Sequence, residues 1–226
     1  MNSIAERLTE VRRKITEQCE RHQRRPETVQ LVAVSKGKST AAIIEAFQHG
    51  QVLFGENYVQ EALKKIQDLH DLPIQWHFLG PIQSNKTRDI ATHFQWVHSI
   101  DRLKIAQRLS AQRPAEQTPL QVLIQVNIDD DSAKAGVAPD QVAELAEQLS
   151  QLPNLQLRGL MTIPAIKAVP VDAAESFAAM NRLFLQLKAQ YPQIDTLSMG
   201  MSADWQYAIE HGATMIRIGT AIFGTR

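Results

Sequence analysis

The chain of 226 residues has very little cysteine and no excess of charge of either sign. Its single cysteine, Cys19, excludes a disulfide within the chain, and such usage is typical of reducing surroundings. The 24 basic residues are balanced by 24 acidic residues, so no net field attracts nucleic acid or an anionic membrane surface. We therefore expect a cytoplasmic protein without a nucleic-acid partner.

Long apolar runs and familiar catalytic signatures are also missing. No run reaches the length of a transmembrane helix, and the N-terminus lacks an apolar targeting core, so we expect no membrane association. The seven histidines show no metal-ligand spacing, and the acidic run 129–131 has no EF-hand pattern. The turn Ser35–Thr40 carries neither a dinucleotide fingerprint nor a P-loop. These absences argue against metal and nucleotide chemistry.

What the sequence does contain is a regular alternation of strand-like and helix-like segments. An amphipathic pattern predicts an N-terminal helix over 3–22. Strands are predicted over 29–36, 52–56, 74–80, 95–100, 120–128, 155–161, 195–200 and 214–223. Helices are predicted over 40–49, 57–69, 84–93, 102–112, 139–150, 172–189 and 203–211, with Ser202 as the cap of the last one.

Eight strands, each separated from the next by one helix, indicate a parallel sheet. Eight such units in about 200 residues favour a closed (β/α)8 TIM barrel, with the extra N-terminal helix covering one end or side. The hydrophobic fraction of 44% suits one core, so we predict a single domain over 1–226. An open doubly wound sheet is the alternative. We expect residues 163–173, which contain two prolines, to form the most mobile loop.

Lys36 follows the first buried strand, at the edge where α/β proteins place their chemistry. A desolvated lysine amine can lose its proton and attack an aldehyde, forming a Schiff base. A solvated surface lysine is the simpler interpretation of Lys36 alone. Lys38 lies two positions further on, so strand alternation would point both side chains to the same face and cannot separate them. Only proximity to the strand end favours Lys36 as the reactive amine.

Two segments near the C-terminus are typical of an anion site. Ser198–Ser202 combines a sharp glycine turn with a hydroxyl before a helix, and Arg217–Thr220 adds a second glycine and hydroxyl. In (β/α)8 barrels the loops after strands seven and eight frequently hold a phosphate. Strand alternation points Arg217 into the barrel. A buried arginine needs an acceptor, and a structural salt bridge with a barrel carboxylate is as good an interpretation of Arg217 as a role in the anion site. Asn57 suits either a ligand contact or a helix cap, and we expect His77 to be a hydrogen-bonded core histidine.

These residues fall within stretches that resemble the YggS/PROSC-type pyridoxal phosphate homeostasis proteins. The stretches run in order along nearly the whole chain: Leu31–Lys36, Phe54–Glu61, His77–Lys86, Arg158–Met161, Leu197–Asp204 and Ile216–Gly224. One departure is the turn Gly37–Thr40, where many relatives have a proline.

The resemblance implies a barrel akin to the N-terminal domain of alanine racemase, with pyridoxal 5′-phosphate (PLP) bound as a Schiff base on Lys36. The other cofactor contacts that it implies are Asn57 beside the ring, Arg217 at the pyridine nitrogen, and Met201, Ser202, Gly219 and Thr220 around the phosphate. A cation at the pyridine nitrogen disfavours ring protonation and so weakens the ring as an electron sink.

We therefore expect a PLP-binding protein that buffers or delivers the cofactor and has no strong catalytic activity. PLP-dependent apo-enzymes are the expected recipients of the cofactor. We expect the protein to be a monomer, because a barrel closes its own sheet edges. A small PLP-dependent racemase is the alternative. It is disfavoured because the chain ends at Arg226, which leaves nothing for the second domain of alanine racemase. A Schiff-base aldolase acting on a sugar phosphate is the third hypothesis.

Overall fold

Eight parallel strands close into a barrel in the computed structural model, which describes residues 3–165 and 173–225. Each strand pairs with its neighbour in chain order, and the eighth pairs with the first. The strands are β1 (Gln30–Val34), β2 (Leu53–Glu56), β3 (Gln75–Phe78), β4 (Trp96–Ile100), β5 (Leu120–Val126), β6 (Leu155–Thr162), β7 (Thr196–Ser198) and β8 (Met215–Ile218). The barrel prediction is confirmed, and the open sheet is excluded.

Helices surround the barrel and connect its strands. The α-helices are α1 (Ile4–Arg21), α2 (Thr40–Gln48), α3 (Val59–Asp68), α4 (Thr87–His93), α5 (Leu103–Gln112), α6 (Val142–Ser150), α7 (Ala174–Gln190), α8 (Trp205–Glu210) and α9 (Thr220–Phe223). Single 3-10 turns precede β1, α4 and α6.

Side-chain alternation along each strand divides the apolar core into two parts. The larger part lies between the strands and the helices. A smaller cluster fills the barrel interior, and its members are Val32, Trp96, Leu123, Met161 and Met215. Ile216 and Ile218 belong to the outer part, so the alternation that predicted an inward Arg217 is confirmed. The interior is therefore partly polar at the end where β7 and β8 stop.

The N-terminal helix α1 begins with a capping box between Ser3 and Glu6. Its buried stripe includes Leu8, Val11 and Ile15, and it packs against α2, α8 and α9. The helix thus covers the side of the barrel where β8 meets β1. It is amphipathic, and within the described ranges no helix is both long and apolar enough to cross a membrane.

The largest correction concerns the last strand. The prediction extended it over 214–223, but the strand stops at Ile218 and a short helix, α9, follows. The backbone N–H groups of Ile222 and Phe223 both donate to the carbonyl of Gly219, and both side chains are buried. An apolar run of three or four residues fits a strand or a helical turn equally well, which explains the error.

Two smaller corrections also lie at strand ends. β1 ends at Val34, so Lys36 lies in a turn rather than on the strand. α8 begins at Trp205 with Asp204 as its N-cap, so Ser202 is not the cap. Of the loop predicted over 163–173, residues 166–172 lie outside the described part of the chain.

Candidate functional site

A cavity of about 360 Å³ opens at the carboxyl ends of β1, β7 and β8. Its lining residues are Val34, Lys36, Lys38, Met201, Ser202, Arg217, Gly219, Thr220, Gly224 and Thr225. Six of the seven residues that the sequence singled out therefore come together, although they are separated by up to 184 positions in the chain. Cavities of this size suit small-molecule ligands.

Lys36 lies in the turn that follows β1 and its side chain is exposed. Within the described part of the chain its amine has no hydrogen-bond or ion-pair partner. The desolvation that we anticipated for this amine is therefore not supplied by the protein alone. An exposed, unengaged amine at the cavity wall is accessible to an incoming carbonyl compound.

Lys38 lines the same cavity but its amine is engaged. Its Nζ atom donates to the carbonyl oxygens of Gly224 at 2.9 Å, Thr225 at 3.1 Å and Phe223 at 3.5 Å. An ammonium group has three protons, so these three acceptors occupy its donors. This arrangement ties the turn after β1 to the segment after α9, and it favours Lys36 over Lys38 as the reactive amine.

A buried ion cluster holds the backbone on both sides of Lys36. Lys65 Nζ, on α3, contacts Glu56 Oε1 at 2.8 Å and Glu61 Oε1 at 2.6 Å, and it donates to the carbonyl of Ser35 at 2.8 Å. The same Glu61 oxygen accepts the backbone N–H of Gly37 at 2.5 Å. The residues before and after Lys36 are thus fixed by one cluster.

Glu56 is the most deeply buried member of this cluster. Its side chain is fully buried, and Oε1 also accepts the hydroxyl of Ser35 at 2.6 Å, whereas Oε2 has no partner in the described structure. Burial raises the pKa of Glu56, while its bonds with Lys65 and Ser35 act in the opposite direction. The sequence analysis missed Glu56 and Lys65. The signal was present in the spacing of Glu61 and Lys65, which is that of a helical ion pair.

The segments after β7 and β8, where the sequence predicts an anion site, form one side of the cavity. Ser202 and Thr220 are exposed to the cavity, and within the described residues neither their hydroxyls nor their backbone N–H groups have acceptors. Gly200 has a φ of +92°, which lets the chain turn sharply before Met201. The backbone N–H of Met201 is already used, since it donates to Asp204 Oδ1 at 2.6 Å. The free donors are those expected of a phosphate site.

Arg217 forms the inner wall of the cavity and is only 4% exposed. Its guanidinium donates to Ser198 Oγ at 2.7 Å and to the carbonyl of Thr162 at 2.9 Å. Among the described residues no carboxylate forms a salt bridge with it, so that interpretation is wrong and neutral oxygens are its acceptors. Burial lowers the pKa of Arg217 to about 10, which leaves it cationic at neutral pH.

His77 is buried as predicted, but it belongs to a larger group that the sequence did not reveal. Its Nδ1 lies 2.9 Å from His98 Nε2, and His98 Nδ1 lies 3.1 Å from Ser198 Oγ. In the described structure His77 Nε2 has no partner, so this histidine is only partly hydrogen-bonded. Burial lowers the pKa of His77 to about 3 and that of His98 well below its usual value. Both rings are therefore neutral.

Asn57 is the one predicted residue that does not line the cavity with Lys36. It is half-buried and lines a separate cavity of about 300 Å³ together with Tyr58, Phe78 and Lys86. Its backbone carbonyl packs so closely on Gly80 that a Cβ atom there would lie 2.1 Å from that oxygen. A contact between Asn57 and a bound ring remains a prediction.

The fold and this cavity define a class of protein. A family model described as "Alanine racemase, N-terminal domain" matches residues 10–226. The chain is thus a barrel of the alanine racemase N-terminal type, with an exposed amine and unengaged hydrogen-bond donors lining one cavity at the carboxyl ends of its strands.

Full-length relatives narrow this class. A "Pyridoxal phosphate homeostasis protein" of Vibrio alginolyticus is 54% identical over 230 residues, covering 100% of this chain and 99% of the relative. The protein of the same description in Escherichia coli (strain K12) is 52% identical over 229 residues, covering 100% and 98%. The structure of PipY of Synechococcus elongatus with PLP bound has a TM-score of 0.84 and 41% identity, covering 98% of this chain and 100% of PipY. The chain belongs to the family of pyridoxal phosphate homeostasis proteins.

Proposed function

We propose that this protein binds PLP reversibly through Lys36 and buffers or delivers the cofactor, without strong catalytic activity. The observation that carries the proposal is that one cavity is lined by the unengaged amine of Lys36, by the free N–H and hydroxyl donors of Ser202 and Thr220, and by the buried cation of Arg217. The names of the relatives and the PLP-bound state of PipY support it. PLP supplies an aldehyde with which the Lys36 amine condenses reversibly, with loss of water.

The residues of the cavity suit the phosphate, the pyridine nitrogen and the ring of PLP. Ser202, Gly219 and Thr220, with the backbone of Met201 nearby, hold the phosphate, because unpaired N–H and hydroxyl donors favour an anion. Arg217 faces the pyridine nitrogen, and we place Asn57 beside the ring. The fit is supported by the donors of Ser202 and Thr220 and by the buried cation of Arg217, which line one cavity.

A carrier role fits this electrostatic arrangement better than racemase catalysis. A permanently charged Arg217 at the ring nitrogen disfavours its protonation, so carbanion chemistry is not promoted. The exposed Lys36 leaves its bond to PLP open to water or to a competing amine. No observation on the described residues favours the racemase or the sugar-phosphate aldolase.

The remaining parts of the proposal concern the molecule as a whole. We propose one PLP-binding domain over 1–226 that acts as a monomer, because the closed barrel leaves no free sheet edge to pair. PLP-dependent apo-enzymes are the proposed recipients, and the cytoplasm is the proposed location.

The test is the visible absorption of the purified protein before and after borohydride reduction, with mass mapping of the modified lysine. We expect a band that bleaches and a pyridoxyl group on Lys36. Lys36→Ala abolishes this label, whereas the matched variant Lys38→Ala keeps it, because the Lys38 amine is held by carbonyls. A label on Lys38, or covalent PLP that persists in Lys36→Ala, would contradict the proposal. A colourless protein trapped by borohydride only with a sugar phosphate would favour the aldolase.

A further inference from the structure

A line of buried polar side chains runs from Arg217 across the barrel interior. Arg217 donates to Ser198 Oγ at 2.7 Å, Ser198 Oγ lies 3.1 Å from His98 Nδ1, and His98 Nε2 lies 2.9 Å from His77 Nδ1. Ser198, His98 and His77 are fully buried. None of the three touches the cavity, and PLP binding as proposed above does not use them.

The cation at one end gives this line a direction. Arg217 has only protons to offer, so Ser198 Oγ accepts from it and has its own proton left to donate. His98 Nδ1 is the only other polar atom within bonding distance in the described structure, so it accepts that proton. His98 then carries its proton on Nε2 and donates to His77 Nδ1, which leaves the His77 proton on Nε2.

The opposite direction leaves more groups unsatisfied. If His98 donated from Nδ1, Ser198 Oγ would accept twice and its hydroxyl proton would have no acceptor within the described residues. His77 Nε2 would then be a buried acceptor without a donor. The first direction leaves one unpaired group, the N–H of His77 Nε2, and an unpaired buried polar group is costly.

Neighbouring rings hold the far end of the line in place. His77 stacks on Trp96 with ring centroids 5.3 Å apart and an interplanar angle of 7°, and the guanidinium of Arg158 lies 5.1 Å from the Trp96 ring. Because the His77 ring is fixed, its Nδ1 atom accepts the Nε2 proton of His98 in one position. Burial keeps the pKa of both histidines low, which excludes a charged imidazole beside the Arg217 guanidinium.

We propose that His98 is a positioning residue for PLP binding: acting through Ser198, it fixes the guanidinium plane of Arg217 at the ring-nitrogen end of the cavity. His77 supports His98 in turn. This role depends on the proposed binding of PLP. Without the acceptor on His98, the Ser198 hydroxyl is free to rotate and its lone pairs no longer meet Arg217 in one geometry.

The protonation pattern is testable in the PLP-free protein. Imidazole nitrogen-15 NMR spectra, with His98→Asn used for assignment, are expected to show both His77 and His98 as neutral rings protonated on Nε2. A proton on His98 Nδ1, or a charged His98, would overturn the proposal whatever the protein does with PLP.

The functional test compares two buried serines. Ser198→Ala removes the shared acceptor and little volume. Ser99→Ala is the matched control, because Ser99 is 3% exposed and its hydroxyl donates to the carbonyl of Gly80 at 2.6 Å, outside the line. A hydrogen bond to a charged group corresponds to about tenfold or more in an equilibrium constant. Because Arg217 keeps its bond to the carbonyl of Thr162, part of this effect is retained, and we expect Ser198→Ala to speed PLP release about 5- to 10-fold. Ser99→Ala should stay within about twofold.

Two substitutions of His98 separate positioning from packing. His98→Leu fills the space without an acceptor, so we expect faster PLP release and a shifted visible band. His98→Asn restores an oxygen near the Nδ1 position and should recover most of that loss. If His98→Leu does not fold, Ser198→Ala and the NMR spectra decide the matter.

The outcomes also distinguish this inference from the proposed function. Wild-type protein that binds PLP normally, with release unchanged in Ser198→Ala, refutes the positioning role alone. Wild-type protein that takes up no PLP refutes the proposed function instead, and the protonation pattern of the free protein is then still decided by NMR.

Discussion

Removing the Lys65 amine should destabilise the protein strongly, because Lys65 is buried on α3 and its charge is paired with a buried carboxylate. Lys65→Met keeps most of the side-chain volume but leaves Glu56, which is fully buried, without its counter-charge. Glu61 is less affected, because 31% of its side chain is exposed and water can solvate it. The loss therefore arises mainly at Glu56, while the carbonyl of Ser35 loses one of its two donors and keeps the backbone N–H of Lys38 at 3.0 Å.

The expected magnitude follows from this burial. Removing one partner of a buried ion pair costs about 3–5 kcal/mol, a large share of the roughly 5–15 kcal/mol that holds a protein folded. For a chain of this size each kcal/mol shifts Tm by roughly 2–4 °C, so we expect a fall of roughly 10 °C. Lys64→Met is the matched control, because the neighbouring Lys64 is exposed and its loss should change Tm by only about 1 °C.

The loss of stability in Lys65→Met should depend on pH, and the pKa of Glu56 determines in which direction. Burial already raises the pKa of Glu56, and loss of the lowering contacts from Lys65 raises it further. The folded state of the variant then binds a proton that the unfolded chain, with a glutamate pKa of about 4.3, releases. The deficit relative to wild type is therefore smallest near pH 4 and grows as the pH rises toward neutrality.

Chemical denaturation at several pH values and a double-variant cycle would measure this effect. Adding Glu56→Gln to Lys65→Met removes the buried charge and should recover part of the lost free energy of unfolding at pH 7. The reasoning is refuted if Lys65→Met loses less than about 1 kcal/mol, or if its deficit is independent of pH and unrelieved by Glu56→Gln.

Two further predictions concern the walls of the cavity. In Gly200→Ala the new Cβ atom would lie 2.6 Å from Ala208 Cβ at a φ of +92°, so PLP titration should show weakened binding and thermal melting should show a lower Tm. Gly50→Ala is the control, because Gly50 has a φ of +79° and lies outside the cavity, and its Cβ atom would lie no nearer than 3.6 Å to Arg12; it should bind PLP nearly normally. Lys38→Met removes the donor to the carbonyls of residues 223–225, so hydrogen exchange near the C-terminus should accelerate while covalent PLP is retained; unchanged exchange would contradict the tethering role.

The barrel could be predicted because its signal is repeated eight times. Alternating strand and helix patterns tolerate errors of a few residues at any one boundary. The final strand shows where this reasoning fails: 220–223 is apolar enough for either structure, and only packing of Ile222 and Phe223 against α1 selects the helix. The first strand stops at Val34, and Ser35 and Gly37 beyond it are held by side chains of α3, a contact that no local pattern contains.

The cavity residues could be predicted because parallel strands bring their carboxyl ends to one edge. That rule located Lys36, Ser202, Arg217 and Thr220, but it could not separate Lys36 from Lys38, which share a parity. In the sequence only proximity to the strand end favours Lys36, and the structural reason lies in the distant carbonyls that hold Lys38. The rule also missed His98, whose partner Ser198 is 100 positions away.

The two ends of the cavity differ in rigidity, and this difference bears on release. Arg217 is buried and bonded to two oxygens from β6 and β7, so its end is fixed before any ligand arrives. Lys36 is exposed, although the backbone on either side of it is held by the Lys65 cluster. In the proposed binding mode, a ligand would be held at its ring and phosphate and bonded covalently to an exposed amine, so it would be oriented without being enclosed. Water or a competing amine could then reach the covalent bond while the non-covalent contacts still hold the ring and the phosphate in place. A carrier that must release what it binds requires this combination.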